Sequence, residues 1–181
     1  MIAGRFQPIE AFRDGLPTKA RDLQTAQTVM LHPVAELDRR LIGIFHPSLL
    51  TVFDLVNHEG QWLAACEFVP ARTLAAVFAG EPCNPRRAIE IVAEVADGVA
   101  ELHAHGVSHG EISSASVHLT LKGKAKLCLT TARTTSDPSG DIQGLRLLLH
   151  QIAGRAFPEL VETESAPVLA ALLRNLREEP P

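Results

Sequence analysis

This chain of 181 residues has no tyrosine, few aromatic residues, no strongly basic character and no long apolar run. Aromatic residues make up only 4% of the chain, which argues against a surface that stacks nucleic-acid bases. The formal net charge of −4 argues against a basic face for phosphate backbones. No run of about 18 apolar residues occurs, so the sequence predicts no membrane-spanning helix. The N-terminus also lacks the pattern of a signal peptide. We therefore expect neither a nucleic-acid partner nor a membrane span.

Cysteine is scarce, and the histidines lack the spacing of metal ligands. Cys66, Cys83 and Cys128 are odd in number and form no C-x-x-C pair, which predicts buried or half-buried free thiols in a reducing compartment. The expected location is therefore the cytoplasm. His103 and His105 are two residues apart, which places them on different faces of a helix. We expect no metal site and no cofactor.

What the chain does contain is an apolar fraction of 46%, and its periodicity changes along the sequence. Alternation of apolar and polar residues predicts strands in the first third, with a hairpin turn at Asn57–Gly60. A short helix of about three turns is predicted at residues 35–45, before His46-Pro47 stops it. The predicted strands are residues 5–9, 27–34, 49–56 and 61–69.

The period changes to that of helices after Pro70. The longest helix is predicted from Pro85 to His105, with Asn84 as its N-cap and Gly106 as its end. The other predicted helices are residues 73–78, 141–153 and 167–177, and a hairpin is predicted over residues 117–129. The order predicts an α+β fold with a hinge near residue 70.

The loop of residues 106–120 lies between the longest helix and the hairpin, and residues 102–109 that lead into it read L-H-A-H-G-V-S-H. The other short motifs, in chain order, are His46-Pro47-Ser48-Leu49-Leu50, Cys66-Glu67-Phe68-Val69 with Thr73-Leu74, Lys126-Leu127, and Asp141 with the helix that ends in Gly154-Arg155-Ala156-Phe157-Pro158. In this order the motifs resemble those of bacterial eukaryotic-type Ser/Thr protein kinases, and residues 102–109 look like the L-H-x-x-G-V-x-H that opens the family's catalytic loop. The resemblance implies one kinase-like domain over residues 1–181. It has a small β-rich N-lobe at about 1–69, a truncated helical C-lobe at about 70–177, and a tail or linker at 178–181.

Several positions that carry the chemistry of this family hold other residues here. The family's Gly-rich loop maps to residues 12–18, where Gly15 remains and Pro17 removes an N–H donor. The positions that the resemblance identifies as degenerate are His32 for the strand lysine, Glu36 for the helix glutamate, Gly110, Glu111, Ser113 and Ser116 in the catalytic loop, and Leu129 for the metal-binding aspartate.

These replacements predict a pseudokinase that does not turn over magnesium-ATP. Phosphoryl transfer depends on positioning and charge neutralisation, and loss of one such group costs on the order of 100- to 1,000-fold in rate. We therefore expect that this chain is not an enzyme and that it acts as a regulatory or protein-interaction module. Two alternatives remain open: a residual or atypical phosphotransferase that uses Glu111, and a small-ligand binder in the vacated nucleotide cleft. His109 is expected to be structural, and Asp141 is expected to buttress the loop, to cap its helix, or both.

A hydroxyl-rich segment follows the hairpin. It is either a solvated connection or a phosphorylation site, because a phosphate there adds about −1.5 to −2 charges and can create a docking site. The implied partners are an active kinase and a phosphothreonine-reading forkhead-associated domain, and an oligomer is left open. The possible phosphosites are Thr130, Thr131, Thr134 and Thr135.

Overall fold

The computed structural model describes residues 1–13, 15–79, 83–135, 137–154 and 165–178. The predicted motif residues 155–158 and the tail residues 179–181 lie outside this part. The chain divides into two compact units, Met1–Phe45 with Leu50–Val69, and His46–Leu49 with Pro70–Pro181. The assignment of the whole chain to a single domain stays a prediction. No helix in the described ranges combines the length and apolar character needed to cross a membrane.

The order of strands and helices along the chain is close to the order that the sequence predicts. The strands are β1 (Phe6–Pro8), β2 (Thr18–Asp22), β3 (Thr28–Val34), β4 (Leu49–Leu50), β5 (Val52–His58), β6 (Gln61–Glu67), β7 (Ala71–Thr73), β8 (Val117–Thr120) and β9 (Ala125–Cys128). The helices are α1 (Leu74–Phe78), α2 (Pro85–Ala104), α3 (Ser139–Ala153) and α4 (Ala166–Glu178). The predicted α+β fold class is confirmed.

The first unit is an antiparallel sheet in the order β1-β2-β3-β6-β5. The turn between β5 and β6 is tight because Glu59 and Gly60 both have positive φ, at 51° and 88°, as two-residue hairpins require. One face of the sheet carries a buried apolar cluster of Ile2, Phe6, Ala20, Val29, Leu31, Leu63 and Ala65.

The predicted helix over residues 35–45 is wrong. Only one 3-10 turn forms, at Arg39–Leu41, where Asp38 accepts a hydrogen bond from the Arg40 N–H group. Gly43 has a φ of +81°, and its N–H group donates to the Val52 carbonyl at 2.9 Å. The chain therefore turns to pair with β5 before a second helical turn can form. The i, i+4 spacing of Leu37 and Leu41 suggested a helix, but both residues reach the core without one.

Arg5 ties three parts of the first unit together. Its guanidinium group binds both carboxylate oxygens of Asp22, at 2.8 and 2.6 Å, and one of Asp54, at 2.6 Å. The Asp22 side chain is only 3% exposed. The hydrogen bonds from Arg5 are the main reason that the pKa of the Asp22 carboxyl lies well below its usual range, although burial opposes this shift.

Arg5→Ala is expected to lower the free energy of unfolding by about 2–4 kcal/mol, because it leaves the buried Asp22 carboxylate without its cation. Since the folded-state pKa of Asp22 is depressed, the stabilisation is present above the unfolded pKa of about 4 and is lost as the pH falls. Urea titrations of both proteins at neutral and acidic pH measure this difference. Arg40→Ala, which breaks an exposed pair with Asp38, is the control and is expected to have a much smaller effect. Equal losses for the two variants would contradict the assignment.

The second unit is organised around α2. Asn84 accepts a hydrogen bond from the Arg86 N–H group at 2.9 Å, and Pro85 occupies the first turn, so the predicted start of the helix is confirmed. Ten residues of α2 are buried, and the helix packs against α3, α4 and β9. A Cβ atom at Gly98 would lie 2.9 Å from the Leu49 side chain. This close approach seats residues 46–49 on α2.

A second sheet, in the order β4-β9-β8-β7, lies beside α2. The predicted hairpin of residues 117–129 is present as β8 and β9. The Ser48 carbonyl accepts a hydrogen bond from the Leu127 N–H group at 2.8 Å. Thr73 caps α1, since its hydroxyl group accepts from the Ala76 N–H group at 3.2 Å. The loop of interest thus runs from the end of α2 at Ala104 to the start of β8 at Val117, where β8 pairs with β7 and β9.

Candidate functional site

The loop between α2 and β8 is buried at its centre and exposed at its tip. Gly106, with a φ of +67°, ends α2, and Val107 and Ser108 turn inward with 1% and 3% exposure. His109 follows and is fully buried, whereas Gly110 and Glu111 are exposed. The loop therefore presents Glu111 from a packed base, as a positioned functional side chain requires.

His109 is held as a neutral imidazole. Burial lowers the pKa of its ring, and the hydrogen bond to Cys128 and the charge of Asp141 oppose that shift only in part. The Nδ1 atom accepts a hydrogen bond from the Glu111 N–H group at 3.2 Å. Nε2 must therefore carry the proton, which it donates to the Cys128 carbonyl at 3.0 Å. These are the backbone contacts predicted for a structural histidine.

Asp141 holds the backbone of the loop from within α3. Its Oδ2 atom accepts from the His109 N–H group and from His103 Nε2, both at 2.8 Å, and its Oδ1 atom accepts from the Gly110 N–H group at 2.7 Å. Burial alone would raise the pKa of Asp141, but the hydrogen bonds from His103, Gly110 and His109 outweigh it and lower the pKa. The predicted buttress is present, but the predicted N-cap is wrong. The cap position is Pro138, and Asp141 lies in the first turn.

The main chain at Arg133 packs directly against Gly110 of the loop. Its φ is +76°, and a Cβ atom there would clash with the Arg133 carbonyl oxygen. The Arg133 N–H group donates to the His109 carbonyl at 2.8 Å, and the guanidinium Nε of Arg133 lies 3.0 Å from a carboxylate oxygen of Glu111. One further contact follows, in which the Ser108 N–H group donates to the Thr135 carbonyl at 3.2 Å. The segment of residues 131–135, here called the docked segment, is thus attached to the loop.

Ser113 and Ser116 bond to each other. The Ser116 hydroxyl accepts from the Ser113 N–H group at 2.9 Å and donates to the Ser113 carbonyl at 3.1 Å. Ser116 is 2% exposed. These two positions, which the resemblance assigns to a lysine and to a metal-binding asparagine, close the loop on itself immediately before β8.

The residues after β9 give hydroxyl groups rather than carboxylates. Leu129 is fully buried at the start of a 3-10 turn. The Thr131 hydroxyl donates to the Cys128 carbonyl at 2.9 Å, and Thr130 lies 3.1 Å from the Cys128 sulfur. The donor set at the two metal positions, the Ser116 hydroxyl and an aliphatic side chain, does not fit the oxygen-rich coordination that Mg²⁺ prefers.

The phosphosite candidates differ in exposure. Thr131 and Thr135 are exposed, whereas Thr130 and Thr134 are half-buried. The Thr135 hydroxyl donates to the Asp137 carbonyl at 3.1 Å. The docked segment therefore presents two threonines to solvent while its main chain is attached to the loop.

The remaining predicted positions lie in the first unit. His32 is half-buried on β3, opposite Ala64 of β6. Glu36 is exposed and lies in a loop, so its predicted place in a helix is wrong. Gly15 has a φ of +75°. Pro17 lines a cavity of about 220 Å³ with neighbouring residues of its own segment. No group of three or more His, Cys, Asp or Glu side chains within the described ranges is arranged to hold a metal ion.

No model of a known protein family matches this sequence. It is 33% identical over 84 residues to the serine/threonine-protein kinase PkaB of Streptomyces coelicolor, and 26% identical over 88 residues to the probable serine/threonine-protein kinase KKQ8 of Candida glabrata. These matches cover 46% and 45% of this chain, and only 20% and 12% of the two relatives.

The structure matches the crystal structure of the PknI kinase domain of Mycobacterium tuberculosis. The TM-score is 0.76 at 17% sequence identity, and the match covers 97% of each chain. The chain has the protein-kinase fold. The β-rich first unit and the helical second unit of this fold are the two parts that the sequence predicted.

The prediction that the chain is not an enzyme is contradicted. Its curated relatives carry the names of serine/threonine-protein kinases, and those names point to an enzyme. The prediction rested on several replaced residues taken together, and such replacements alone do not establish that the activity is absent. The two matches to these named kinases each cover less than half of this chain.

Proposed function

We propose that this kinase-fold chain is a cytoplasmic regulatory module whose protein partners act on the docked segment. The observation that carries the proposal is the attachment of this segment to the loop through Arg133, with Thr131 and Thr135 left exposed. A segment fixed in one position presents its side chains to a partner at little cost in ordering.

Phosphorylation would act on this arrangement through charge. The guanidinium group of Arg133 is 81% exposed and pairs with Glu111. A phosphate on Thr131 or Thr135 brings about −1.5 to −2 charges to a residue two positions from Arg133, where it can compete with Glu111 for the guanidinium group. Loss of the Arg133–Glu111 pair would loosen the docked segment from the loop. A phosphothreonine-reading domain, of the forkhead-associated type, would then bind the phosphothreonine of the loosened segment. The proposed partners are thus an active kinase that adds the phosphate and a domain that reads it.

The test is phosphorylation of the full chain by a purified bacterial serine/threonine kinase. We expect phosphate on Thr131 or Thr135 by mass spectrometry, and calorimetric binding of an isolated forkhead-associated domain to the phosphorylated chain only. The control carries valine at Thr130, Thr131, Thr134 and Thr135, and is expected to bind no such domain. A chain that takes up no phosphate in this segment would contradict the proposal.

A second candidate function is phosphoryl transfer with Glu111 as the base. The names of the relatives favour it, and Glu111 is an exposed carboxylate on a loop whose backbone is fixed by His109. In this step the oxygen of an attacking hydroxyl group bonds to the γ-phosphorus of ATP, ADP leaves with the electrons of the broken P–O bond, and Glu111 accepts the hydroxyl proton as a general base. Opening of the pair with Arg133 frees the carboxylate oxygen to take up that proton.

Glu111→Gln is expected to reduce phosphate transfer from labelled ATP by about 100-fold or more, because the amide cannot accept the proton. Glu101→Gln is the matched control, since Glu101 is also partly exposed and pairs with a neighbouring side chain, His105. Equal transfer by the two variants, or none by the wild type, would rule out this candidate. Neither result affects the phosphorylation test, which uses a separate kinase.

A further inference from the structure

The tip of the β8–β9 hairpin carries an apolar side chain that no described part of the fold covers. Leu121 is 87% exposed. The turn that holds it is well ordered, since the Gly123 N–H group donates to the Thr120 carbonyl at 2.8 Å and the Thr120 N–H group donates to the Lys124 carbonyl at 2.9 Å. The Thr120 hydroxyl also accepts from the Lys124 N–H group at 3.0 Å. Leu121 is thus displayed on a fixed tip.

Leucine is an unexpected residue at this place in the turn. Leu121 is the second residue of the β-turn that runs from Thr120 to Gly123, where proline and small polar residues are favoured. Single exposed apolar residues are common, so exposure alone proves nothing. What distinguishes this one is its position at the end of a braced hairpin and the charge of its neighbours.

The surroundings of the tip are basic. Lys122 follows Leu121 in the turn, Lys124 comes directly after the turn, and Arg87 of α2 donates to the Gly123 carbonyl. A Cβ atom at Gly123, whose φ is +75°, would lie 3.2 Å from this guanidinium group. Glycine at this position therefore leaves room for the Arg87 side chain to reach the carbonyl. Arg86, next to it in the first turn of α2, is exposed.

Acidic residues offset only part of this charge. Glu90 pairs with Arg87 at 3.0 Å, and Glu94 pairs with Lys124 at 2.7 Å. Among the residues that the structure describes, these two glutamates leave Lys122 and Arg86 of the four basic groups without an acidic partner. A protruding apolar side chain with surplus positive charge around it fits a surface that is apolar beneath an anionic layer.

We propose that the hairpin tip docks on an anionic lipid surface, with Leu121 inserted at the boundary between headgroups and acyl chains. A fluid interface closes around a convex tip, whereas a protein partner would need a pocket of matching shape. The basic groups around the tip then contact anionic headgroups, and each adds to binding at low salt. The interaction is peripheral and salt-sensitive, and it is independent of the docked segment.

Co-sedimentation of the full chain with lipid vesicles tests the proposal. We expect binding to vesicles of equal parts phosphatidylcholine and phosphatidylglycerol at low salt, and none to phosphatidylcholine alone. Leu121→Ser is expected to weaken binding about tenfold or more, which is the effect of losing one buried leucine. Leu147→Ser, at an apolar residue of α3 that is 58% exposed, is the control and is expected to bind like the wild type.

Insertion itself is measured by fluorescence. The variant Leu121→Trp, made together with Trp62→Phe, should shift its emission to shorter wavelength on binding anionic vesicles. Three results would each overturn the proposal. The wild type does not bind anionic vesicles at low salt, the two serine variants lose equal amounts of vesicle binding, or the tryptophan variant binds without a shift in its emission wavelength. Binding to polyglutamate without binding to anionic vesicles would assign the tip to an acidic protein instead, and would also overturn it.

Discussion

Replacement of Asp141 by alanine is expected to lower the free energy of unfolding by about 3–5 kcal/mol, because it removes a buried acceptor shared by three donors. The N–H groups of His109 and Gly110 and the Nε2 atom of His103 would lose their partner together. For a chain of this length the loss corresponds to a fall in Tm of roughly 10 °C. Urea titration followed by circular dichroism gives the free energy directly.

Two further variants distinguish the hydrogen bonds that Asp141 accepts from the loss of a carboxylate charge alone. Asp141→Asn keeps one acceptor oxygen and is expected to lose less than the alanine variant. Asp137→Ala removes an exposed carboxylate that accepts from the Ser139 N–H and hydroxyl groups, and a much smaller effect is expected. If Asp137→Ala were as damaging as Asp141→Ala, the buried network would not be the main support of the loop.

Gly110→Ala is expected to cost about 2–4 kcal/mol and to detach the docked segment. Part of the loss is the strain of a Cβ atom at positive φ, about 1–2 kcal/mol, and the rest comes from the clash with the Arg133 carbonyl. The matched control is Gly106→Ala, because Gly106 has a similar φ of +67° and a Cβ atom there meets nothing within 4 Å.

Chemical denaturation of the two glycine variants isolates the contact, since both include the backbone strain. We expect faster cleavage by trypsin after Arg133 in Gly110→Ala than in Gly106→Ala, because the docked segment becomes accessible. Equal stability and equal cleavage would mean that the close approach of Arg133 to Gly110 contributes nothing.

The sequence predicted best the elements that local chemistry decides. Asn84-Pro85 and Gly106 give the ends of α2, since capping and positive φ are properties of single residues and their neighbours. The turn at Glu59-Gly60 is predictable for the same reason. The catalytic-loop resemblance also located His109 and Asp141, whose contacts the structure contains.

Elements decided by pairing with distant residues were not predictable. Residues 35–45 have helical spacing, yet Ile42 and Gly43 pair with Val52 of β5. The short strand β7 exists because Arg72 and its neighbours pair with β8. No periodicity within three residues could indicate such a partner.

The least predictable part of the site was the link between the loop and the docked segment. The resemblance identifies Gly110 only as a degenerate position, but its missing side chain is what lets Arg133 approach. Arg133 itself carried no signal within a polar stretch, and its pairing with Glu111 depends on tertiary structure. A glycine in a buried loop beside a charged residue is therefore a hint of close backbone approach that sequence reading can use in other chains.

Hydrogen exchange of the docked segment, before and after phosphorylation of the full chain, tests the regulatory proposal most directly. In the unphosphorylated chain the amides of Arg133 and Ser108 should be protected, since both donate across the contact. With phosphate on Thr131 or Thr135, we expect both amides to exchange at least about tenfold faster, while the amides of His109 and Gly110, bound to Asp141, remain protected. Unchanged protection of Arg133 in the phosphorylated chain would contradict the account.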